Sequence, residues 1–304
     1  MLIKKELNDE FASLFVELNK KIGEPTESFN EKQLSEHLHG LAMLNLPVHF
    51  YFLTDIKKRQ IIWSYAIESC LGYTQQVVSE EWFPEKVHPY LRDWYWLLAY
   101  GFYKNMDAFK HLNLKKTRYI IYLPIKKADG SYVLVRQMSI AFQLDKNGNI
   151  CSHLNYFTIL GEYKGNPLQP SYRNAEGKFY NDKIYEVAAD FVDIDPKNDF
   201  TEREFKMLIR CTEIYQVPSR INILAKEFFK GPATVNRDLL IIKNKILNLL
   251  CLKENEVYST VERNCLPSFQ TAYDAAVFLK ECGILEILKH RYEKDPSLLT
   301  NGKK

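Results

Sequence analysis

The chain has 304 residues, with 41 Lys and Arg against 38 Asp and Glu and a net charge of +3. So small a surplus neither announces nucleic acid nor opposes it, and any basic face has to be local. At 46% hydrophobic and 13% aromatic residues there is apolar material for about two domain cores. Charge or proline interrupts every apolar stretch well short of the roughly 18 residues a membrane span needs. The opening MLIKKELNDEF has no apolar signal region, which gives the expectation of a cytoplasmic chain without membrane contact. Six scattered cysteines (Cys70, Cys151, Cys211, Cys251, Cys265, Cys282) form no C-x-x-C pair. They read as reduced packing residues, with neither a zinc site nor a disulfide framework. No G-x-S-x-G, no phosphate-cradling G-x-x-x-x-G-K-[ST] and no H-E-x-x-H occurs, so the expectation is a non-enzyme with no catalytic or metal-ligating set.

In chain order, Leu2 to Lys21 places Leu7, Phe11, Leu14, Phe15 and Leu18 on one stripe, which predicts an amphipathic helix. Such a stripe either caps the following sheet or pairs with its copy in a dimer. A connector with Pro25 precedes a second helix predicted over Glu31 to Leu44. From Val48 the pattern turns to short β-rich runs: His49 to Leu53 and Gln60 to Trp63 as a hairpin, then Lys116 to Ile125, Tyr132 to Leu144 and Ile150 to Ile159. Ala128-Asp129-Gly130-Ser131 and Asp145-Lys146-Asn147-Gly148 are the turns joining the last three. Between hairpin and triplet lie a short helix, Ala66 to Leu71, ended by Gly72, and a long aromatic helix beginning at Pro89. The chain divides into N-terminal helices over 1–45, a sheet domain over 46–165, a connector over 166–198, a helical domain over 199–290 and a tail over 291–304. In the connector, Lys183 to Val192 is apolar enough for a strand or short helix.

Four marks in this segment, Leu71-Gly72-Tyr73-Thr74, Val87-His88-Pro89, Asp129-Gly130-Ser131 and Asp145 to Ile150, together resemble the PAS sensor fold. The resemblance implies a five-stranded antiparallel sheet holding a small-molecule ligand or a partner against its helices. Tyr51, Trp63, Trp96 and Tyr100 are the candidate pocket residues. The N-C-R-F-L-Q motif of flavin photosensors is absent, so no flavin is expected. Of His49, His88, His111 and His153, the best placed for haem is His111, and a structural histidine is the preferred reading. The cofactor, if any, is left unnamed.

From Leu224 to Ile246 the spacing gives two helices around Gly231-Pro232. Leu224, Ala225 and Phe228 share one face, and Val235, Leu239, Ile242 and Ile246 share the next. A helix-turn-helix fits, and so does a plain three-helix bundle. Phe200-Thr201-Glu202-Arg203-Glu204, Leu224-Ala225-x-x-Phe228-x-Lys230-Gly231-x-x-Thr234-Val235, and the run from Phe269 to Leu285 resemble the LuxR-type DNA-binding domain as found in Bacteroidetes. The whole then reads as α+β: N-terminal helices and a PAS-like sheet, followed by an all-α helix-turn-helix bundle. The resemblance implies a dimeric transcription regulator on DNA. Thr234 would touch phosphate, Asn236 and Arg237 would read bases, and Lys230, Lys243 and Lys245 would lie along the backbone. Asp238 stands where the family has histidine and is expected to face phosphate and repel it. Leu239, Leu240 and Ile241 replace basic residues. The alternative is therefore a sensory or scaffold protein whose helical bundle binds protein and not DNA.

Overall fold

The structure, a computed structural model, describes residues 6–27, 32, 33, 36, 48–74, 82–194, 199–252 and 258–299. The helix expected over Glu31 to Leu44 falls almost wholly outside them. Helix α1 (Glu6–Lys21) carries the apolar stripe, and Leu7, Phe11, Leu14, Phe15 and Leu18 are all buried within this chain. The stripe is spent on capping the sheet domain, so it offers no seam to a second copy.

Strands β1 (His49–Asp55) and β2 (Gln60–Tyr65) form the first hairpin. Short helices α2 (Ile67–Leu71) and α3 (Trp82–Lys86) precede α4 (Pro89–Lys104), which opens with proline at its first helical position, where no amide hydrogen is needed. After α5 (Met106–Phe109) come β3 (Arg118–Lys126), β4 (Tyr132–Leu144), β5 (Ile150–Glu162) and β6 (Ser171–Arg173). The sheet is antiparallel throughout, in the order β2-β1-β5-β4-β3-β6. The five expected strands are thus joined by a sixth, a three-residue edge strand from the connector that pairs Tyr172 with Tyr119.

Helix α6 (Asn181–Ala188) and a 3-10 turn over Ala189–Phe191 complete the connector. The helical half comprises α7 (Glu202–Glu213), α8 (Arg220–Glu227), α9 (Pro232–Leu249), α10 (Thr260–Asn264), α11 (Ala272–Glu281) and α12 (Ile284–Lys294). Three of these begin with reciprocal capping boxes, Thr201 with Glu204, Ser259 with Glu262 and Thr271 with Asp274. Each box satisfies two backbone amides that the helix itself cannot. Residues Arg291 and Tyr292, beyond the expected end of the helical domain, are core residues of α12.

One continuous apolar cluster runs through both halves. The seam between them is closed by polar contacts around Glu262. His88 Nε2–H donates to its backbone carbonyl at 3.0 Å, the Tyr132 hydroxyl to its carboxylate at 3.2 Å, and Lys126 Nζ lies 3.6 Å from that carboxylate. Glycines let the backbones meet. A Cβ on Gly165 (φ +75°) would lie 2.7 Å from Pro267 Cα, and one on Gly283 (φ +76°) 2.7 Å from the Tyr185 hydroxyl.

Gly101, in the last turn of α4, is the third close approach. Alanine would gain about 1 kcal/mol of helix propensity there, but its Cβ would sit 2.6 Å from the Ile184 carbonyl oxygen of α6. Overpacking of this kind costs about 1–3 kcal/mol, and the obstacle is backbone. Gly101→Ala is therefore expected to lower stability in a urea melt. A stabilised variant would mean that α6 yields freely.

Candidate functional site

The strand register decides what faces the helices. Phe52, Asn155, Ser139 and Tyr119 are successive partners across β1, β5, β4 and β3, and Thr54 and His153 form the next row. Above them stand Phe83 and Pro84 of α3, Tyr95, Trp96, Ala99, Phe102 and Tyr103 of α4, and Phe11 and Phe15 of α1. Together they enclose a cavity of about 90 Å³. Aromatic walls with a few convergent polar groups are what small-molecule sites are made of. Phe11 meets Trp96 edge to face at 5.1 Å, so α1 is the roof. Arg59, at the turn between β1 and β2, reaches the rim with its guanidinium 4.9 Å from the centre of the Phe15 ring.

The floor is polar. Ser139 Oγ donates to Asn155 Oδ1 at 2.6 Å, Gln137 Nε2 donates to Ser139 Oγ at 3.0 Å and to Asn155 Oδ1 at 3.2 Å, and Asn155 Nδ2 donates to Thr54 Oγ1 at 3.4 Å. His153 is buried beside them, 3.5 Å from the Tyr103 hydroxyl, and burial holds its pKa down to about 4. The imidazole is neutral at pH 7.

Of the expected pocket residues only Trp96 lines this cavity. Tyr51 and Trp63 lie on the opposite face of the sheet, where Tyr51 stacks on Tyr65 at 5.3 Å and on Tyr156 at 5.4 Å. After His49 the run to Leu53 is aromatic or aliphatic at every position, so alternation could not tell its inner face from its outer one. Tyr100 is buried, but it fills the junction of α1, α4 and the 189–191 turn, against Phe11 at 5.5 Å and Phe191 at 4.8 Å. His111 is exposed and lies outside the cavity, near the Tyr180 ring. Thr54, Gln137, Ser139 and Asn155 were missed, and His153 was weighed only as a haem ligand. Their signal was present: Gln137 and Ser139 fall in phase with Val135 and Ala141, polar residues at core positions of a strand.

In the helical half, α8 and α9 are joined by a turn in which Phe229 has φ +52° and is 93% exposed. Lys230, Asn236 and Arg237 are exposed and Thr234 is half-buried at the start of α9. Lys243 and Lys245 are not arrayed with them. Lys243 donates to the Gln270 carbonyl at 3.0 Å. Lys245 is tied to Glu204 at 2.7 Å and to the Asp199 carbonyl, inside the bundle. Asp238 does not face outward either. It is 3% exposed and pairs with Arg203 of α7 at 3.1 Å, a contact internal to the fold. The outward face of α9 runs through Ala233, Asn236, Arg237, Leu240 and Ile241.

Among the described residues no helix is long and apolar enough to cross a membrane, and no group of three His, Cys, Asp or Glu side chains is placed to hold a metal ion. None of the six cysteines is in a disulfide, and all but Cys251 are buried.

No protein-family model matches the sequence, and no curated protein matches it. Several solved structures are similar in part, three of them as follows. The N-terminal domain of a diguanylate cyclase with a PAS/PAC sensor from Marinobacter aquaeolei is 16% identical, over 37% of this chain and 95% of that one, with a TM-score of 0.31. A phage VqmA–DPO complex is 10% identical over 82% and 89%, with a TM-score of 0.30. The VqmA dimer of Vibrio cholerae, described as a LuxR-type receptor, is 10% identical over 78% and 93%, with a TM-score of 0.28. Likenesses this distant carry no conclusion about ligand, DNA or assembly.

Proposed function

We propose that this chain is a non-enzymatic cytoplasmic sensor-regulator: a small molecule held between sheet and helices biases a helix-turn-helix that binds DNA as a dimer. The observation that carries the reading is the placement of α6. It packs on α4, which forms the cavity wall, and on α12 of the bundle, where Asp182 meets His290 at 2.9 Å and Lys294 meets Asp190 at 2.7 Å. A ligand that shifts α4 therefore acts on the bundle through α6, and through His88 at the start of α4, which bonds the Glu262 carbonyl. Two copies would present two α9 helices, and their spacing decides whether both enter successive major grooves.

DNA binding rests on Asn236 and Arg237 as base readers, with Thr234 and Lys230 toward phosphate. Binding of the full chain to genomic fragments is expected to weaken steeply with salt. Arg237→Ala should lose about 1–3 kcal/mol on the preferred sequence, Lys230→Ala should weaken all sequences alike, and Lys245→Ala should change stability without changing the salt slope. Absence of salt-sensitive binding would remove DNA from the reading.

One observation favours a second reading, a bundle that binds protein. Phe229 and Leu240 are 93% and 58% exposed, while two of the expected cations, Lys243 and Lys245, are engaged within the fold and not arrayed with Asn236 and Arg237. Large apolar side chains on an otherwise polar face mark protein contacts.

A further inference from the structure

Strand β6 sets one arginine opposite another. Tyr119 lines the cavity and pairs with Tyr172, so Arg118 and Arg173, the next pair along these two strands, lie together on the other face of the sheet. Directly opposed residues on neighbouring strands are about 5 Å apart, and like charges so placed work against the sheet. Both arginines are exposed, and no carboxylate of a described residue pairs with either. The outward positions beside them, Ile120 and Tyr122 on β3, Arg136 and Met138 on β4 and Ser171 on β6, bring no acid to balance them. Glu176, in the turn that follows β6, pairs with neither.

Arg173 is also held in place. Its guanidinium lies 4.2 Å from the centre of the Phe179 ring, across the turn, and its Nε–H donates to Ser171 Oγ at 2.8 Å. Its two terminal nitrogens remain unspent among the described residues. A planar fork oriented in advance loses little freedom when an anion docks on it. Two guanidinium groups without a carboxylate match a doubly charged anion. A phosphate monoester carries about −1.5 to −2 charges at pH 7 and has three acceptor oxygens, enough to meet both forks. The pair also stands at the root of α6. Phe179 is followed by Tyr180, which caps α6, and the Asn181 side chain ties that helix to β6, accepting from the Tyr172 N–H at 2.6 Å and donating to the Pro170 carbonyl at 2.7 Å.

We propose that Arg118 and Arg173 bind a small phosphate dianion, free or as a monoester, at a second ligand site on the far side of the sheet from the cavity. Its occupancy joins β3 to the β6 turn and so fixes the start of α6. The site does not depend on what the cavity holds.

The test titrates the full chain at low salt by calorimetry with phenyl phosphate, inorganic phosphate and the singly charged dimethyl phosphate. Phenyl phosphate is expected to bind saturably and about tenfold or more tighter than dimethyl phosphate, and to weaken about tenfold in Arg118→Gln and in Arg173→Gln, since each variant removes a charged hydrogen-bonding partner. Inorganic phosphate that binds as tightly as phenyl phosphate assigns the site to the free ion, and weaker binding assigns it to an ester; both support the proposal. Affinity for phenyl phosphate should fall from about pH 7.5 to about pH 5, as the phosphate takes up its second proton, while dimethyl phosphate shows no such change. Arg118→Gln gives a two-sided check. It relieves the repulsion between the arginines, so the ligand-free variant should melt no lower than the parent chain while phenyl phosphate binding drops. A merely structural arginine would lower the melting temperature and leave binding alone. No saturable binding of either dianion at millimolar concentration, equal binding of dimethyl phosphate, or binding unchanged in both variants overturns the proposal. A short DNA duplex that loses affinity in the same two variants, with neither dianion bound, would make the pair a nucleic-acid contact and overturns it as well. Arg237→Ala, outside this site, judges the DNA reading separately.

Discussion

Asp199→Ala is expected to cost the fold about 3–5 kcal/mol, the range for removing one partner of a buried ion pair and leaving the other charge stranded. Asp199 and Arg291 are 5% and 6% exposed, and the guanidinium donates to both carboxylate oxygens, at 3.0 and 3.3 Å. The Tyr292 hydroxyl donates to the same carboxylate at 2.5 Å. Asp199 also leads into α7, whose capping residue Glu204 receives Lys245, and Lys245 in turn bonds the Asp199 carbonyl. Truncation thus loosens the start of the helical half at several points. Denaturant melts should show the loss. The double variant Asp199→Leu with Arg291→Met should recover much of it, because an apolar pair leaves no charge behind. A cost below about 1 kcal/mol for the single variant would mean that water reaches Arg291.

The second large effect is on pH. Burial holds both His88 and His153 down to about 4, from an ordinary value of 6.5. For His88, hydrogen bonding and the charge of Glu262 pull the other way, and Lys126 adds to the depression. Above pH 6.5 both states of the chain hold these rings neutral and they contribute nothing. Below it the unfolded chain takes up protons that the folded chain refuses, so stability falls as pH drops from 6.5 toward 4. At about 1.4 kcal/mol per unit, the two together can remove several kcal/mol. Melting temperature against pH checks this, and His153→Phe and His88→Gln should each flatten the slope in that window. Asp145 acts elsewhere. Burial pushes its carboxyl up, but hydrogen bonds from Asn149, Gly23 and Asn147 outweigh that and hold it below the ordinary carboxylate range. Its contribution is lost at more acid pH. A profile flat between 6.5 and 4.5 would show that both rings are hydrated in the folded chain.

Much of the fold was legible because local chemistry fixed it. Asp129-Gly130 and Asn147-Gly148 place glycines at φ +89° and +75° in the two turns, and Pro89 starts α4 where its missing amide hydrogen does no harm. Strand β6 was not legible: three residues between Pro170 and Asn174 are too short to show a period, and their pairing depends on Tyr119 more than fifty positions earlier. Of the four expected pocket residues only Trp96 lines the cavity, for the same reason. Trp96 is placed by helical spacing, but which face of the Phe50–Leu53 run of β1 points inward is set by its partners in β5. The lysines of α9 failed differently. Helical periodicity puts Lys245 near the boundary, and only the position of Glu204, brought beside it by tertiary packing, decides that it turns inward.

The three side-chain-free contacts at Gly101, Gly165 and Gly283 determine how the two halves can move. Elements that slide past each other do so by re-seating side chains from one groove to the next. On the glycine side of each contact there is no side chain to re-seat, and any residue that adds a Cβ there meets the Ile184 carbonyl, Pro267 or the Tyr185 ring. Separation across the seam meets no such wall. At these three points the seating of the elements accepts nothing larger than glycine unless a neighbouring backbone or ring gives way.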